Sequence, residues 1–245
     1  MIWFLPWDDD ENHVRHLPWA TWTLILLNCL AYLFHSGGGE QWVKDWALYA
    51  AHPHWEDFVT SCFAHFDIEH LLGNMLFLAI FGDNVEDVLG PIPFLAMYFI
   101  GGLLGDWWFV SANPSMDLPA AGASGCIAAA AGAYAVLFFT RFASLRVFFV
   151  FLPLGTINLR APVVLMFYFG LDLVQALAGH GVLPAGGGVN YVAHAGGFIT
   201  GAVAAFVAVL FGVLGRYESW TGGHALFGYC VEMPKPRVRP RARLR

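Results

Sequence analysis

The sequence predicts an all-α membrane protein, a bundle of six transmembrane helices with both termini in the cytoplasm. Hydrophobic residues make up 58% of the 245 positions and charged residues only 12%, about half the share usual in soluble domains. The mean hydropathy of +0.59 points the same way. Because lipid solvates the outer faces of membrane helices, such a chain needs no charged surface. The lipid bilayer is therefore an expected partner.

Six apolar segments carry the helix prediction. A further apolar stretch, from Val147 to Leu154, contains Pro153 and is followed by Gly155, so a short interfacial segment is favoured over a seventh span. The six predicted helices run from about Ala20 to Phe34, from near Ile68 to just before Asp83, from Ile92 to Ala112, from about Ala121 to Phe139, from Pro162 to Ala178 and from Tyr191 to Leu214.

The distribution of basic residues sets the predicted orientation. Cytoplasmic loops of membrane proteins carry an excess of Lys and Arg. With the N-terminus in the cytoplasm and six spans, only Lys44 falls outside. The bases that then fall inside are Arg15, Arg141, Arg146, Arg160, Arg216 and those of the tail from Lys235 to Arg245.

Three regions follow from this reading. Residues 1–19 form a cytoplasmic N-terminal segment, 20–214 the six-helix domain and 215–245 a basic cytoplasmic tail. The tail is expected to be flexible, since its alternating Pro and Arg residues oppose a helix. It is interpreted as a segment that flanks the membrane rather than one that binds nucleic acid.

The cysteines and the first apolar run exclude some alternatives. The chain has four cysteines and no CxxC spacing, so neither a disulfide framework nor a zinc site is predicted. No metal or other cofactor is expected. The first apolar run follows acidic residues and lacks a small-residue cleavage site, so it is interpreted as a retained helix, not a signal peptide. The cysteines are Cys29, Cys62, Cys126 and Cys230.

The second helix carries polar residues, which are costly in a membrane and need a reason. His70 and Asn74 are four residues apart and share one helix face. They are either a hydrogen-bonded pair that joins two helices or a pair of donors aimed at one cavity.

The fourth and sixth helices have complementary surfaces. Ser124 opens the fourth helix and is followed by small residues, including Gly125 and Gly132, which allow a close helix approach. In the sixth helix, Gly197 and Gly201 form a GxxxG pair on roughly the face of His194. In the predicted topology, helices two, four and six all run from outside to inside. His70, Ser124 and His194 then lie at similar depth.

These residues predict acyl-transfer chemistry. A serine hydroxyl is a poor nucleophile until a base takes its proton, and His194 is the natural base for Ser124. Asp172 is expected to lie roughly mid-membrane, and no contact between it and His194 is predicted. Since no carboxylate is then placed to orient the imidazole, a Ser–His dyad is favoured over a triad. His70, Asn74 and the Ser124 backbone N–H are candidate donors for the oxyanion.

The sequence resembles the rhomboid family of intramembrane serine proteases, of the bacterial type. The resemblance covers roughly residues 55 to 215 and implies a six-helix bundle in which Ser124 is the nucleophile and His194 the general base and acid. The motifs that carry it are His70-x-x-x-Asn74, Gly122-Ala123-Ser124-Gly125, Ala193-His194 with Gly197 and Gly201, and the run from Phe81 to Asp87.

The resemblance also implies substrates and a location. Substrates would be membrane proteins cut near the outer end of a transmembrane segment, commonly after a small residue, and they would enter sideways from lipid. Phe167, Tyr168 and Phe169 are the candidate gate residues. The expected location is the inner membrane of a bacterium.

Two departures and two alternatives accompany this resemblance. Glu56-Asp57 stands where many members have Trp-Arg, and Ala128 where some members have an aromatic residue that packs on the histidine. The first alternative is a catalytically inactive rhomboid-like protein that binds membrane clients. The second is a metal-handling membrane protein, suggested by His52, His54, His65 and His70 but lacking an HExxH motif.

Overall fold

A computed structural model of the chain describes residues 2–9, 17–35, 39–139, 142–149, 152–178 and 190–212. The predicted basic tail, most of the loop before the sixth apolar segment, Cys230, and the bases Arg15, Arg141 and Arg216 lie outside these ranges. Within the ranges the helices are α1 (Trp19–His35), α2 (Gly39–Trp46), α3 (Asp57–Thr60), α4 (Ile68–Phe77), α5 (Asp83–Leu89), α6 (Pro91–Ala112), α7 (Ser124–Leu137), α8 (Ala161–Leu177) and α9 (Tyr191–Leu210).

Each of the six predicted apolar segments contains a helix, while the short helices α2 and α3 lie between the first and second segments. By length and composition α6 and α9 are each able to cross a bilayer, whereas α1, α7 and α8 are apolar but shorter. The second segment is longer than predicted, because a π-helical stretch, Leu78–Gly82, joins α4 to α5 and carries the helix on to Leu89. It ends at Gly90, whose positive φ of 83° and neighbouring Pro91 stop the helix.

The strands are a feature that the all-α prediction lacks. In place of the single interfacial segment expected at Val147 to Leu154, two antiparallel strands, β4 (Phe142–Phe149) and β5 (Leu152–Arg160), pair with each other. The chain's first strand, β1 (Ile2–Asp9), joins them in the order β1-β4-β5. Pro153 and Gly155 oppose a helix there, as the sequence indicated, and an extended pairing satisfies the backbone instead. The strands are β1 (Ile2–Asp9), β2 (Leu48–Tyr49), β3 (Pro119–Ala120), β4 (Phe142–Phe149) and β5 (Leu152–Arg160).

This sheet also constrains the path of the chain. β1 precedes α1, while β4 and β5 connect α7 to α8. Since β1 is hydrogen-bonded to β4 along its length, the N-terminal segment and the α7–α8 connection lie on the same side of the bundle. Ser124 begins α7 and β4 follows its other end, so the sheet is at the end of α7 remote from that serine.

Helix α7 forms the centre of the bundle. Every residue from Gly125 to Tyr134 is buried. Small residues permit this, because α7 and α9 approach until their backbones touch: a Cβ added at Gly197 would overlap the Gly125 carbonyl oxygen, and one at Gly201 that of Ala129. A Cβ at Gly132 would likewise overlap the Phe198 carbonyl oxygen. The glycines therefore fix how close these two helices lie.

The outer helices present apolar side chains outward. Leu26 on α1, Leu104 on α6, Leu171 on α8 and Val203 on α9 are all exposed. Patches of this kind on a soluble monomer promote association, whereas lipid solvates them without cost. The exposed surface of the bundle therefore suits a bilayer.

A buried carboxylate joins α5 to the start of α1. Glu86 is 3% exposed, and its two oxygens accept hydrogen bonds from the Ala20 N–H at 3.0 Å and from the Thr21 N–H and hydroxyl at 2.8 Å. The first N–H groups of a helix have no partner within it, and a negative charge there also interacts favourably with the helix dipole. Glu86 thereby fixes the start of α1 against α5, at the end of the second apolar segment.

Candidate active site

A cavity of about 500 Å³ lies where the starts of α4, α7 and α9 meet the later part of α8. Asp67 and Glu69 at its rim are exposed, so the cavity reaches the protein surface there. Its wall includes the candidate nucleophile, base and oxyanion donors from the sequence, which are Ser124, His194, His70 and Asn74.

Ser124 is held by the loop that precedes α7. Strand β3 in this loop pairs with β2, and the Gly122 N–H donates a hydrogen bond to the Ser61 carbonyl oxygen at 2.9 Å. Gly122 has a φ of +125°, and a Cβ there would come within 2.7 Å of the His70 ring. Only glycine combines that backbone conformation with that closeness. The loop thus delivers Ser124, the first residue of α7, into the cavity beside His70.

His194 is positioned by the start of α9 and by a neighbour on α8. The Asn190 side chain caps α9 by accepting a hydrogen bond from the Ala193 N–H at 3.0 Å. The His194 Nδ1 atom lies 2.7 Å from Oδ2 of Asp172. The edge of the Phe169 ring packs against the imidazole, with 6.1 Å between ring centroids. The ring is therefore held on two sides, by a carboxylate and by an aromatic group.

The contact with Asp172 corrects the expectation that no carboxylate orients His194. Asp172 is the twelfth residue of α8, and a rise of 1.5 Å per residue puts it about 16 Å beyond the start of that helix. It therefore lies near the end of α8 that leads to α9, level with the first turn of α9. Counting residues gave the approximate depth but not the rotation of α8, which decides whether the side chain meets His194.

His70 and Asn74 both face the cavity from α4. Asp67 caps this helix, its side chain accepting a hydrogen bond from the His70 N–H at 2.7 Å. The His70 ring stacks on Phe66 and meets the edge of His65, with centroids 5.9 and 5.0 Å apart. Asn74 is buried, and its amide nitrogen has no hydrogen-bond partner among the described residues. An amide without a partner in the packed helices fits a donor aimed at a cavity better than a bond joining two helices.

The three candidate gate residues do not face the same way. Tyr168 and Phe169 line the cavity, whereas Phe167 is 54% exposed on the outer side of α8. Phe77 on α4 meets the edges of Tyr168 and Phe169, with centroids 5.1 and 6.3 Å apart. Sequence reasoning missed Phe77, which looked like any apolar residue of a membrane helix. These aromatic contacts close the space between α4 and α8 beside the cavity.

The two sequence departures have local solutions. The buried Asp57 accepts a hydrogen bond from the His54 N–H at 3.1 Å, while Trp55 is exposed. The Thr60 hydroxyl donates to the Trp46 carbonyl oxygen at 3.0 Å and anchors this loop to α2. Ala128, one turn after Ser124, is fully buried. It is too short to hold the imidazole, which Asp172 and Phe169 contact instead.

Cys62, Cys126 and His52 make contacts away from the cavity. Cys29, Cys62 and Cys126 are free thiols, and the sulfur atoms of Cys62 and Cys126 are 3.5 Å apart in the core. His52 pairs with Asp117 at the surface, at 3.0 Å. Within the described ranges, no three His, Cys, Asp or Glu side chains are grouped so that they could share a metal ion.

Fold and site together define a class, that of mostly helical membrane proteins with a serine, a histidine and an amide around one cavity at the helix starts. Comparison with known proteins identifies the family. The Rhomboid domain matches residues 52–211. The chain therefore belongs to the rhomboid family, as the sequence motifs predicted.

Two curated relatives illustrate the similarity. Over 102 residues, 41% of this chain, the protein is 32% identical to Rhomboid-like protein 11, chloroplastic, of Arabidopsis thaliana, and the match spans 36% of that relative. It is 27% identical over 137 residues to a Bacillus subtilis (strain 168) protein named "Putative rhomboid protease YdcA". That match covers 54% of this chain and 68% of the relative.

Proposed function

We propose that this protein is an intramembrane serine endopeptidase that cleaves the transmembrane segments of membrane proteins. The observation that carries the proposal is the meeting of Ser124, His194 and the unpartnered amide of Asn74 at one cavity. A nucleophile, a base and an oxyanion donor are the groups that acyl transfer requires.

In the proposed reaction Ser124 forms the covalent bond to the substrate and His194 transfers the protons. His194 takes the proton from the Ser124 hydroxyl as the oxygen attacks the scissile carbonyl carbon, and the carbonyl oxygen becomes an oxyanion. The C–N bond then breaks, and His194 gives its proton to the leaving amine. A water molecule, deprotonated by His194, attacks the acyl-enzyme, and collapse of the second intermediate returns the proton to Ser124. The peptide bond is hydrolysed without a cofactor.

The oxyanion hole consists of up to three donors. Asn74 offers its free amide N–H, and His70 lies beside Gly122 in the loop that leads to the nucleophile. The Ser124 backbone N–H is at the first position of α7, where no intrahelical acceptor exists. Each such donor lowers the barrier by roughly 3 kcal/mol, and the start of α7 adds the favourable end of a helix dipole.

Substrates reach the cavity sideways, between α4 and α8. Phe77 on α4 contacts Tyr168 and Phe169 on α8, and these rings must separate for a helix or strand of substrate to enter. The site lies at helix starts, which agrees with cleavage near one end of the substrate's transmembrane segment. The family resemblance supports the outer end and a small residue before the cut.

The proposed topology is a six-span bundle with both termini in the cytoplasm of a bacterium and the active site toward the outer face of the inner membrane. The excess of arginine in the loops assigned to the inside supports it. The pairing of β1 with β4 also supports it. Two paired strands lie on the same side of the membrane, so an even number of spans must separate them, and the proposed topology has four spans between β1 and β4.

The decisive test is cleavage of a single-span substrate protein in liposomes, with wild type compared with Ser124→Ala and His194→Ala. Wild type is expected to cleave the substrate, and both variants are expected to be folded but to show no cleavage. Ser111→Ala and His52→Ala are the matched controls, since both side chains are exposed and outside the cavity; both should cut like wild type. EDTA should leave the activity unchanged.

Labelling by a fluorophosphonate separates the remaining outcomes. Ser124 should be labelled in wild type and unlabelled after His194→Ala, because the nucleophile then lacks its base. Full cleavage by Ser124→Ala would show that the nucleophile is another residue. Absence of both cleavage and labelling in folded wild type would favour an inactive rhomboid-like protein that binds membrane clients.

A further inference from the structure

We propose that Asp172 is a positioning residue for His194, so that the catalytic group is a Ser124–His194–Asp172 triad rather than a dyad. The inference rests on the proposed function and deepens it. It starts from the 2.7 Å contact between Oδ2 of Asp172 and Nδ1 of His194.

The geometry of this contact selects one form of the imidazole. A carboxylate can only accept hydrogen bonds, so Nδ1 carries the hydrogen and donates it to Asp172. In the neutral ring Nε2 then has the free lone pair, as a base toward Ser124 must. The side chains of His194 and Asp172 are only 14% and 13% exposed, so little solvent competes for the hydrogen bond.

The same carboxylate stabilises the charge that forms during the reaction. When His194 takes the proton of Ser124 it becomes an imidazolium, and an adjacent negative charge in a poorly solvated site lowers the energy of that state. The proton remains on His194 and is not passed to Asp172. Phe169 supports the ring from another side but supplies neither charge nor acceptor.

The position of Asp172 in α8 also needs an explanation. Its chain neighbour Leu171 is exposed on the apolar outer face, as is Val174. An acidic residue in such a helix is costly and is retained where it faces a cavity or a partner. Asp172 lines the cavity and contacts His194, so the partner is the proposed base.

A purely structural role for the hydrogen bond makes a contrasting prediction. The bond ties α8 to α9 next to the proposed entry route, so losing it would loosen α8. If that were its only effect, removing the bond would admit substrate more readily and raise cleavage. A positioning role predicts the opposite sign, a fall in kcat with KM little changed.

The experiment compares wild type, Asp172→Asn, Asp172→Glu and Leu171→Ala in the full-length protein reconstituted in liposomes, with kcat and KM measured for the model substrate. Asn keeps the size but loses the charge and can donate to Nδ1, which would favour the wrong tautomer. We expect its kcat to fall roughly 100-fold or more at nearly unchanged KM. Glu, which keeps the carboxylate, should recover part of the loss, and Leu171→Ala should behave like wild type.

Fluorophosphonate labelling of Ser124 provides a readout that does not depend on α8 opening for a large substrate. Its rate should fall in Asp172→Asn in parallel with kcat. A folded Asp172→Asn that cuts and labels like wild type, or cuts faster, would overturn the inference while leaving the protease assignment intact. Wild type that neither cuts nor labels would instead refute the proposed function.

Folding is checked by size exclusion and thermal melting before the kinetics. If Asp172→Asn does not fold, Asp172→Ser, which is also neutral, takes its place with the same expectation. If both neutral variants fail to fold, the decision rests on Asp172→Glu, whose carboxylate is one methylene further from the backbone and cannot keep the 2.7 Å contact in the same geometry. A folded Asp172→Glu with a lower kcat and slower labelling at nearly unchanged KM supports the positioning role, whereas kcat and labelling equal to those of wild type reject a requirement for this contact.

Discussion

The amide nitrogen of Asn74 is buried at the cavity wall without a hydrogen-bond partner among the described residues. Such a donor destabilises the folded protein by about 1–3 kcal/mol, which is understandable if it is reserved for an oxyanion. Asn74→Ala is expected to lower kcat by about 100- to 1,000-fold with KM unchanged. Its melting temperature should be equal to or above that of wild type. Steady-state cleavage and thermal unfolding measure the two effects.

Asn28 is the matched control for that substitution. It is also a buried asparagine, but its amide nitrogen donates to the Leu24 carbonyl oxygen within α1, outside the cavity. Asn28→Ala should therefore leave kcat unchanged, since this side chain does not line the cavity. An unchanged kcat in Asn74→Ala would remove Asn74 from the oxyanion hole.

At this scale the sequence was informative where a residue is out of place in its surroundings. A serine before a run of small residues, and polar side chains in apolar helices, are visible without coordinates, and Ser124, His194, His70 and Asn74 all line one cavity. Asp172 was visible as a charge but not as a partner of His194, because the contact depends on the rotation of α8. Phe77 was hidden, since a phenylalanine in an apolar helix is ordinary.

Between α4 and α8, the ring of Phe77 meets those of Tyr168 and Phe169. Each aromatic contact of this kind contributes about 1 kcal/mol, and 1.4 kcal/mol is tenfold in an equilibrium. Phe77→Ala is therefore expected to raise the cleavage rate of a transmembrane substrate by about tenfold, because the two helices separate more readily. Cleavage in liposomes measures this, and labelling of Ser124 by a small fluorophosphonate should stay as in wild type.

Phe167→Ala controls for the loss of a ring. Phe167 is next to Tyr168 but exposed on the outer side of α8, so its removal should leave cleavage within about twofold of wild type, as for most surface substitutions. A fall in cleavage by Phe77→Ala that follows a lower melting temperature would mean that this residue serves packing and not entry.

Helices and strands could be predicted from the sequence where a local feature, such as apolar length or a Gly-Pro pair, determines where the element begins or ends. Apolar length located α1, α6, α8 and α9 within a few residues, and Gly90-Pro91 separates α5 from α6. The strands were not predicted, because a short apolar stretch between arginines is compatible with an interfacial segment as well as with a strand. What decides is pairing with β1, more than 130 residues earlier in the chain, and local patterns contain no information on such a partner.

Across the whole molecule, the helix that begins with the proposed nucleophile is deeply buried. Helix α7 is buried along most of its length and touches α9 backbone to backbone, so Ser124 and His194 are carried by two helices that cannot shift separately. Helix α8, by contrast, exposes apolar side chains and meets α4 through a few aromatic rings. Closely packed helices therefore hold the proposed nucleophile and base, while the helix at the proposed entry is packed through fewer buried contacts.

The orientation of the whole molecule is testable at two exposed positions. Ser115 lies in the loop between α6 and α7, on the side of the active site, and Thr156 lies in β5 at the opposite end. In a cysteine-free background, Ser115→Cys should react with a membrane-impermeant maleimide in intact cells. Thr156→Cys should react only after the cells are opened, because a bilayer excludes the charged reagent. A native-like melting temperature shows that each variant is folded.

The pattern of labelling separates the possible topologies. Reaction of Thr156→Cys alone in intact cells would show that the bundle is inverted, with the active site facing the cytoplasm, against the arginine distribution that orients it. Reaction of both variants from outside would mean that the ends of α7 are on one side, and the six-span arrangement would be wrong. With the expected pattern, the pairing of β1 with β4 fixes the N-terminal segment on the cytoplasmic side as well, because hydrogen-bonded strands cannot lie on opposite sides of a membrane.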